Sequence, residues 1–499
     1  MKFKSYGFRI SCVGIILAGV SLRFWGLDSH PSGLDIDESS ILYWAGLSLK
    51  NGSMPLYSPE STYWEMLPGY LYFLAWKFTW SPRLFPGVLG ILEILFIGRW
   101  VGKRYGSTEG WAASALLAIC PWHFFYSRII GTCTGVILLF LISRSSVGTV
   151  SSRVTGLLYY ATFRLVWLRD VIEGVIKRDR RRLIGCGLSL LVALLLVLIS
   201  PSPLSAFFSR GNYNFLNVNL SVFRNYFTSL CFPFFPFPLS YRESNASFLA
   251  DFVHSALASS VPGPVLGWGI AALSVWGLIL LIKRAREELF FLLGIWFMLG
   301  FMGPSLSRFL IVLPILILAG ALALGALSPR RQLAVLWGVF FFTFIPSVIL
   351  WRNLGDNKAM ENLFFSRHRE RDQWIRTHLA YATPETVHLM AEDGFLAARY
   401  YAWETGTYSV YPALSPEELG NILHFRAEGK SKIFIMDREA PRRFEYPDPT
   451  SSARIASIRE ALRSKPYVYA VEHFSWGDVY TLDWPYEDTH QKLAGLIRD

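Results

Sequence analysis

Residues 34–45 read Leu-Asp-Ile-Asp-Glu-Ser-Ser-Ile-Leu-Tyr-Trp-Ala and bring three carboxylates, Asp35, Asp37 and Glu38, into one short segment. After Glu38 the apolar residues Ile41, Leu42, Trp44, Ala45 and Leu49 fall at helical spacing, and Asn51-Gly52 closes the run. The pattern predicts a short amphipathic helix with Asp37 at its cap, where a carboxylate accepts from backbone N–H groups. A carboxylate held at a helix start can equally serve as a general base toward a hydroxyl. The residues alone leave both readings open. No His/Cys cluster has metal-ligand spacing, and His30 and His123 are isolated histidines, so no metal site is read from spacing. No Gly-x-Gly-x-x-Gly or phosphate-binding glycine loop occurs.

The elements that must position these carboxylates are membrane spans. The chain has 499 residues, is 52% hydrophobic and 16% aromatic, and only 17% charged, too few charges for a water-facing surface. Residues 1–351 hold 29 basic and 15 acidic side chains, a net of +14, whereas 352–499 hold 19 and 22, a net of −3. Basic charge confined to the apolar part argues against a nucleic-acid surface and for a polytopic membrane protein obeying the positive-inside rule. About 20 apolar residues cross a ~30 Å hydrocarbon core. Nine spans are expected, at 8–27, 84–101, 108–125, 132–142, 183–200, 265–282, 289–303, 309–327 and 333–351. The first, preceded by Lys2 and Lys4, reads as a retained signal-anchor with a cytoplasmic N-terminus. Residues 66–80 read as a helix lying on or dipping into the outer leaflet. Residues 154–176 read as an amphipathic helix on the inner face or a broken hairpin. Glu93 is the one carboxylate expected at membrane depth; Arg99 is poorly spaced to pair with it along the same helix, and Glu93 is not assigned to the site.

This divides the chain into a membrane domain, 1–351, and an extracytoplasmic domain, 352–499. In the latter, strands are expected at 386–391, 408–411, 432–436, 467–473 and 478–482, the last two as a hairpin, with helices at 368–380, 395–403, 415–428 and 452–464. Strands alternating with helices imply a small α/β domain.

Asp37-Glu38 leading an aromatic-rich helix after the first span resembles the first outer loop of the C-type (GT-C) glycosyltransferases. The resemblance is to the subgroup of protein mannosyltransferases and lipid A aminoarabinose transferases. Further pieces follow in order. Trp64-Glu65-Met66-Leu67-Pro68-Gly69-Tyr70 resembles the family's Glu-Lys-Pro segment, without its lysine; Arg83-Leu84-Phe85-Pro86-Gly87 opens the second span; Pro121-Trp122-His123-Phe124-Phe125-Tyr126-Ser127-Arg128 ends the third; Ser307-Arg308-Phe309-Leu310-Ile311-Val312-Leu313-Pro314 begins a late span. The ordered set covers about 8–351.

The resemblance implies a GT-C-like polytopic fold and transfer of a sugar from a polyprenyl-phosphate donor to a hydroxyl on a lipid, glycan or protein acceptor, at the extracytoplasmic face of a bacterial inner membrane. It makes Asp37 the base and Glu38 its companion. A polyprenyl phosphate leaves without a proton but needs positive charge as it departs. Arg308 is placed against that phosphate, with Arg128 and Arg83 as further candidates; their alternative is snorkelling to the headgroups. Asp35, Glu65 and His123 complete the expected substrate contacts. Cys133 stands where relatives place a second-loop acidic residue, which leaves a divalent cation an open possibility. Two other classes remain: a transporter or flippase for a lipid-linked sugar, and a non-catalytic envelope assembly protein in which Asp37 only caps a helix.

Overall fold

A computed structural model describes residues 2–27, 29–30, 36–52, 66–78, 81–131, 266–301 and 310–354, the strand segments of the carboxy-terminal part, and isolated positions between them. The chain forms two compact units: Met1–His30, Ser48–Pro238 and Phe252–Asn353 make the first, and Pro31–Leu47, Leu239–Asp251 and Leu354–Asp499 the second.

The described part of the first unit is helical. Its elements are α1 (Lys2–Phe24), α3 (Met66–Lys77), α4 (Leu84–Tyr105), α5 (Ser107–Ile119), α6 (Pro121–Tyr126), α7 (Trp268–Arg284), α8 (Arg286–Phe301), a 3₁₀ turn at Leu310–Val312, α9 (Leu313–Gly325) and α10 (Pro329–Leu354), with α2 (Ile36–Lys50) between α1 and α3 in sequence. Among the described residues three helices are long and apolar enough to cross a membrane, over Tyr6–Phe24, Leu84–Tyr105 and Pro329–Ile349. The expected span 183–200 and the segment 154–176 lie almost wholly outside the described residues.

The span expected at 108–125 is corrected: it is two helices. Pro121 has no N–H and pushes the residue before it out of the helical region, and Cys120 is extended at φ −63° and ψ 120°. The break removes the usual partners of the Leu117, Ala118 and Ile119 carbonyls. Side chains from other helices replace them: Arg23 of α1 donates to Ala118 O at 2.6 Å and Leu117 O at 3.3 Å, and Ser347 Oγ of α10 donates to Ile119 O at 2.8 Å. A buried carbonyl with no donor is costly in an apolar medium, so the proline break and its three donors belong together.

Small residues let the helices approach closely. A Cβ on Gly277 of α7 would sit 1.9 Å from the Ala319 carbonyl oxygen of α9, and Ser274 Oγ one turn away donates to Leu316 O at 2.9 Å. Ser114 Oγ makes the equivalent bond from α5 to Ile94 O of α4 at 2.8 Å.

The second unit contains a five-stranded sheet. β1 (Thr386–Met390), β2 (Val410–Pro412), β3 (Ser431–Asp437), β4 (Val468–His473) and β5 (Gly477–Leu482) lie in the order β2-β1-β3-β5-β4. β1 is parallel to β2 and β3, while β5 runs antiparallel to β3 and β4. The strands lie within two residues of the segments read from sequence. β3 carries the continuous apolar run Ile433-Phe434-Ile435-Met436 expected of a central strand. His473 Nδ1 lies 2.9 Å from Asp478 Oδ1 across the β4–β5 hairpin. Trp374, Ile375, Thr377 and His378 are helical, as expected for 368–380. His378 stacks on Trp374 at 4.4 Å, and burial holds its imidazole below the ordinary histidine pKa, with the charge of Glu472 opposing that shift. The helices expected at 395–403 and 415–428 lie outside the described residues.

Candidate active site

Asp37 and Glu38 stand in the first turn of α2. The helix begins at Ile36, so the expectation of Asp37 as its cap is corrected: the residue is inside the helix. Glu38 is only 1% exposed, and Ile41, Leu42, Tyr43 and Ala45 are buried too. Glu38, Ile41, Leu42 and Ala45 stand at i, i+3, i+4 and i+7 and share one helix face, as the spacing predicts, while Trp44 and Leu49 are half-buried. Asp35, Glu65, Arg308 and Cys133 lie outside the described residues, as does the side chain of Asp37.

Arg128, expected at a headgroup or a phosphate, does neither in this structure. It is fully buried, and all five of its N–H donors are used on backbone carbonyls. Nη1 donates to Leu22 O at 2.8 Å and Arg23 O at 2.7 Å, Nη2 to Gly26 O at 2.9 Å and His30 O at 2.6 Å, and Nε to His30 O at 2.9 Å. Leu22 and Arg23 are in the last turn of α1, whose carbonyls have no intrahelical partner. Gly26, at φ +66°, then turns the chain, and the Ser29 and His30 amides close back on its carbonyl. Arg128 therefore caps the end of α1 and ties down the turn that follows. His30 stacks on Trp351 at 4.4 Å, and Trp351 Nε1 donates to Trp25 O at 3.0 Å, pinning the same turn to α10.

Arg83 is buried at 4% exposure, immediately before α4, and its backbone N–H donates to Ser81 Oγ at 3.3 Å. Snorkelling does not describe it.

His123 is likewise reassigned. Far from isolated, it is the centre of a fully buried row of Arg23, His123 and Glu93. Arg23 Nη2 lies 2.6 Å from His123 Nδ1, and His123 Nε2 lies 2.5 Å from Glu93 Oε2. A guanidinium can only donate, so Nδ1 must accept; Nε2 then carries the proton and donates to Glu93. Both ring nitrogens are thereby occupied. Glu93 pairs across to the third expected span through this histidine. Arg23 was missed in the sequence, although its signal was present: an arginine inside the apolar stretch 8–27 must find partners. Among the described residues no group of three or more His, Cys, Asp or Glu is placed to hold a metal ion.

With the helical unit and these sites in view, the class is defined by architecture. The fold is like that of the solved structures of ArnT and of an archaeal oligosaccharyltransferase. The chain is similar to ArnT from Cupriavidus metallidurans in the apo state, with a TM-score of 0.57 and 13% identity over 97% of this chain and 100% of that one. It is similar to the same protein bound to undecaprenyl phosphate, at 0.55 and 14% over 95% and 99%. The archaeal oligosaccharyltransferase AglB from Archaeoglobus fulgidus, in complex with an inhibitory peptide and a dolichol-phosphate, matches at 0.54 and 14% over 98% and 76%. No protein-family model and no curated protein matches the sequence.

Proposed function

We propose that this protein is an integral membrane glycosyltransferase that moves a sugar from a polyprenyl-phosphate donor to a hydroxyl acceptor on the extracytoplasmic side, with inversion. The observation that carries the reading is likeness of fold, over 95% of the chain, to ArnT solved with undecaprenyl phosphate, in a chain that carries Asp37 and Glu38 in the first turn of its second helix. The acceptor oxygen attacks the anomeric carbon as the bond from that carbon to the phosphate oxygen breaks. The acceptor proton passes to the Asp37 carboxylate, and polyprenyl phosphate departs as an anion. Positive charge at the phosphate stabilises that departure, and Arg308 and Arg83 are the residues assigned to it. Glu38 supports Asp37 from the adjacent position in the sequence, and Asp35 and Glu65 are assigned to substrate binding.

The test is reconstitution of the purified chain in liposomes with polyprenyl-phosphate sugars radiolabelled in the sugar and a crude envelope acceptor. Label is expected on the acceptor, with free polyprenyl phosphate formed in equal amount. Label that crosses the bilayer still attached to its phosphate would instead mark a flippase. No movement and no transfer would leave an assembly role.

A further inference from the structure

We infer that one end of the helical unit is a binding surface for anionic phospholipid headgroups, with Arg330 and Arg331 among the side chains that hold them. The surface is separate from sugar transfer and does not depend on it. Side-chain contacts gather the ends of α4, α5, α7, α8, α9 and α10, with α1 beside them, all within the first compact unit. Arg9 of α1 reaches Ser107 Oγ at the start of α5 at 3.5 Å. Arg104 at the end of α4 pairs with Glu287 at 2.6 Å and Glu288 at 3.3 Å in the first turn of α8. Arg284, closing α7, lies 4.0 Å from Glu109 of α5, and a Cβ on Gly325, which closes α9, would sit 2.6 Å from the same carboxylate. Gln332 near the start of α10 donates to Leu327 O at 2.9 Å. The acids of this end are tucked in and the cations turned out. Glu288 is buried and Glu109 and Glu287 are half-buried, whereas Lys103, Lys283, Arg286, Arg330 and Arg331 are exposed together with the arginines of those pairs. Arg330 and Arg331 stand in the first turn of α10, which carries no acidic residue. Cations there oppose the helix dipole, so the helix itself gains nothing from them. Exposed apolar side chains continue from the basic rim: Ile10 next to Arg9, Ile282 next to Lys283, and Trp337 and Phe341 further along α10. A soluble polyanion would match the charge alone. A phospholipid matches both, with its phosphate on the guanidinium groups and its acyl chains on the apolar flank.

The experiment titrates dioleoylphosphatidylglycerol against the full chain in neutral detergent, with dioleoylphosphatidylcholine as the reference, and reads bound lipid by native mass spectrometry. The wild type is expected to prefer phosphatidylglycerol by about tenfold or more. The double variant Arg330→Gln/Arg331→Gln should lose about fivefold of that affinity per arginine removed, while its unfolding midpoint without lipid stays at the wild-type value. The double variant Lys77→Gln/Arg352→Gln removes the same charge elsewhere and should keep the wild-type preference. Arg352 follows Arg331 by 21 positions in α10, about 30 Å along the helix axis. Raising sodium chloride from about 0.1 to 1 M should cut the wild-type preference several-fold, and an excess of soluble glycerol phosphate should not displace the lipid. Equal affinity for the two lipids, equal losses in the two double variants, indifference to salt, or displacement by glycerol phosphate overturns the inference. The salt and competition arms use the wild type and decide the matter if a variant does not fold. Lipid binding is read without turnover, so a chain that transfers no sugar refutes the proposed function and leaves this surface standing.

Discussion

Glu93, His123 and Arg23 show how much a single buried side chain depends on what it faces. His123 donates through Nε2 to Glu93 and accepts at Nδ1 from Arg23, all three without solvent exposure. Glu93→Gln keeps an oxygen that can accept from Nε2, and should cost under about 1 kcal/mol. Glu93→Leu strands the imidazole N–H and should cost about 1–3 kcal/mol, read from reversible unfolding in mixed detergent micelles. Equal stability of the two variants would show that the Nε2 bond is not what Glu93 provides. The sequence marked Glu93 as needing a partner but could not name it, because the partner comes from another helix and is separated by 30 positions. Arg128 was legible as a functional arginine by its place at the end of the third span, yet its four acceptors are backbone carbonyls that carry no residue identity. Residue type tells which side chains must be satisfied; only packing tells by what.

At the scale of elements, apolar runs located the helices well and their ends less well. The run at 84–101 continues as α4 to Tyr105, because Lys103 and Arg104 carry the helix past the apolar limit; Arg104 then meets Glu287 at 2.6 Å. The expected start at 265 gives way to Trp268, after Gly267 at φ +79°. The third span was read through Pro121 as one helix because composition is blind to a missing N–H when both flanks are apolar. Strands were more legible than transmembrane joints: short β-rich runs bounded by turn residues leave little freedom, and β1 to β5 appear where they were expected. Close helix packing yields the prediction at this scale. Gly277→Val forces α7 away from the Ala319 backbone and should destabilise the protein by about 1–3 kcal/mol. Gly338→Val, where a Cβ meets nothing within 4 Å, is the control and should leave unfolding unchanged. Matching behaviour of the two variants would contradict the contact.

For the whole molecule, the charge split between a basic apolar part and a slightly acidic tail announced a membrane protein with a separate domain. The GT-C resemblance rested on short pieces in a fixed order, and the fold is like that of ArnT over 97% of the chain at only 13% identity. The compact units do not follow the sequence boundary at 351 alone, since Pro31–Leu47, with Asp37 and Glu38, groups with the carboxy-terminal residues. Composition could not reveal this, because a short helical insert has the same apolar content in either unit. The carboxylates that carry the proposed chemistry were visible as the densest acidic segment after the first span, whereas Arg128, expected at the phosphate, belongs to the scaffold, and the proposal leaves that role to Arg308 and Arg83. The most direct measurement is the rate of sugar transfer from a polyprenyl-phosphate donor by purified Asp37→Asn beside the wild type, each checked for equal unfolding midpoints. Loss of a general base predicts a rate lower by about 100- to 10,000-fold with donor affinity retained; a variant that transfers sugar at the wild-type rate would contradict the account.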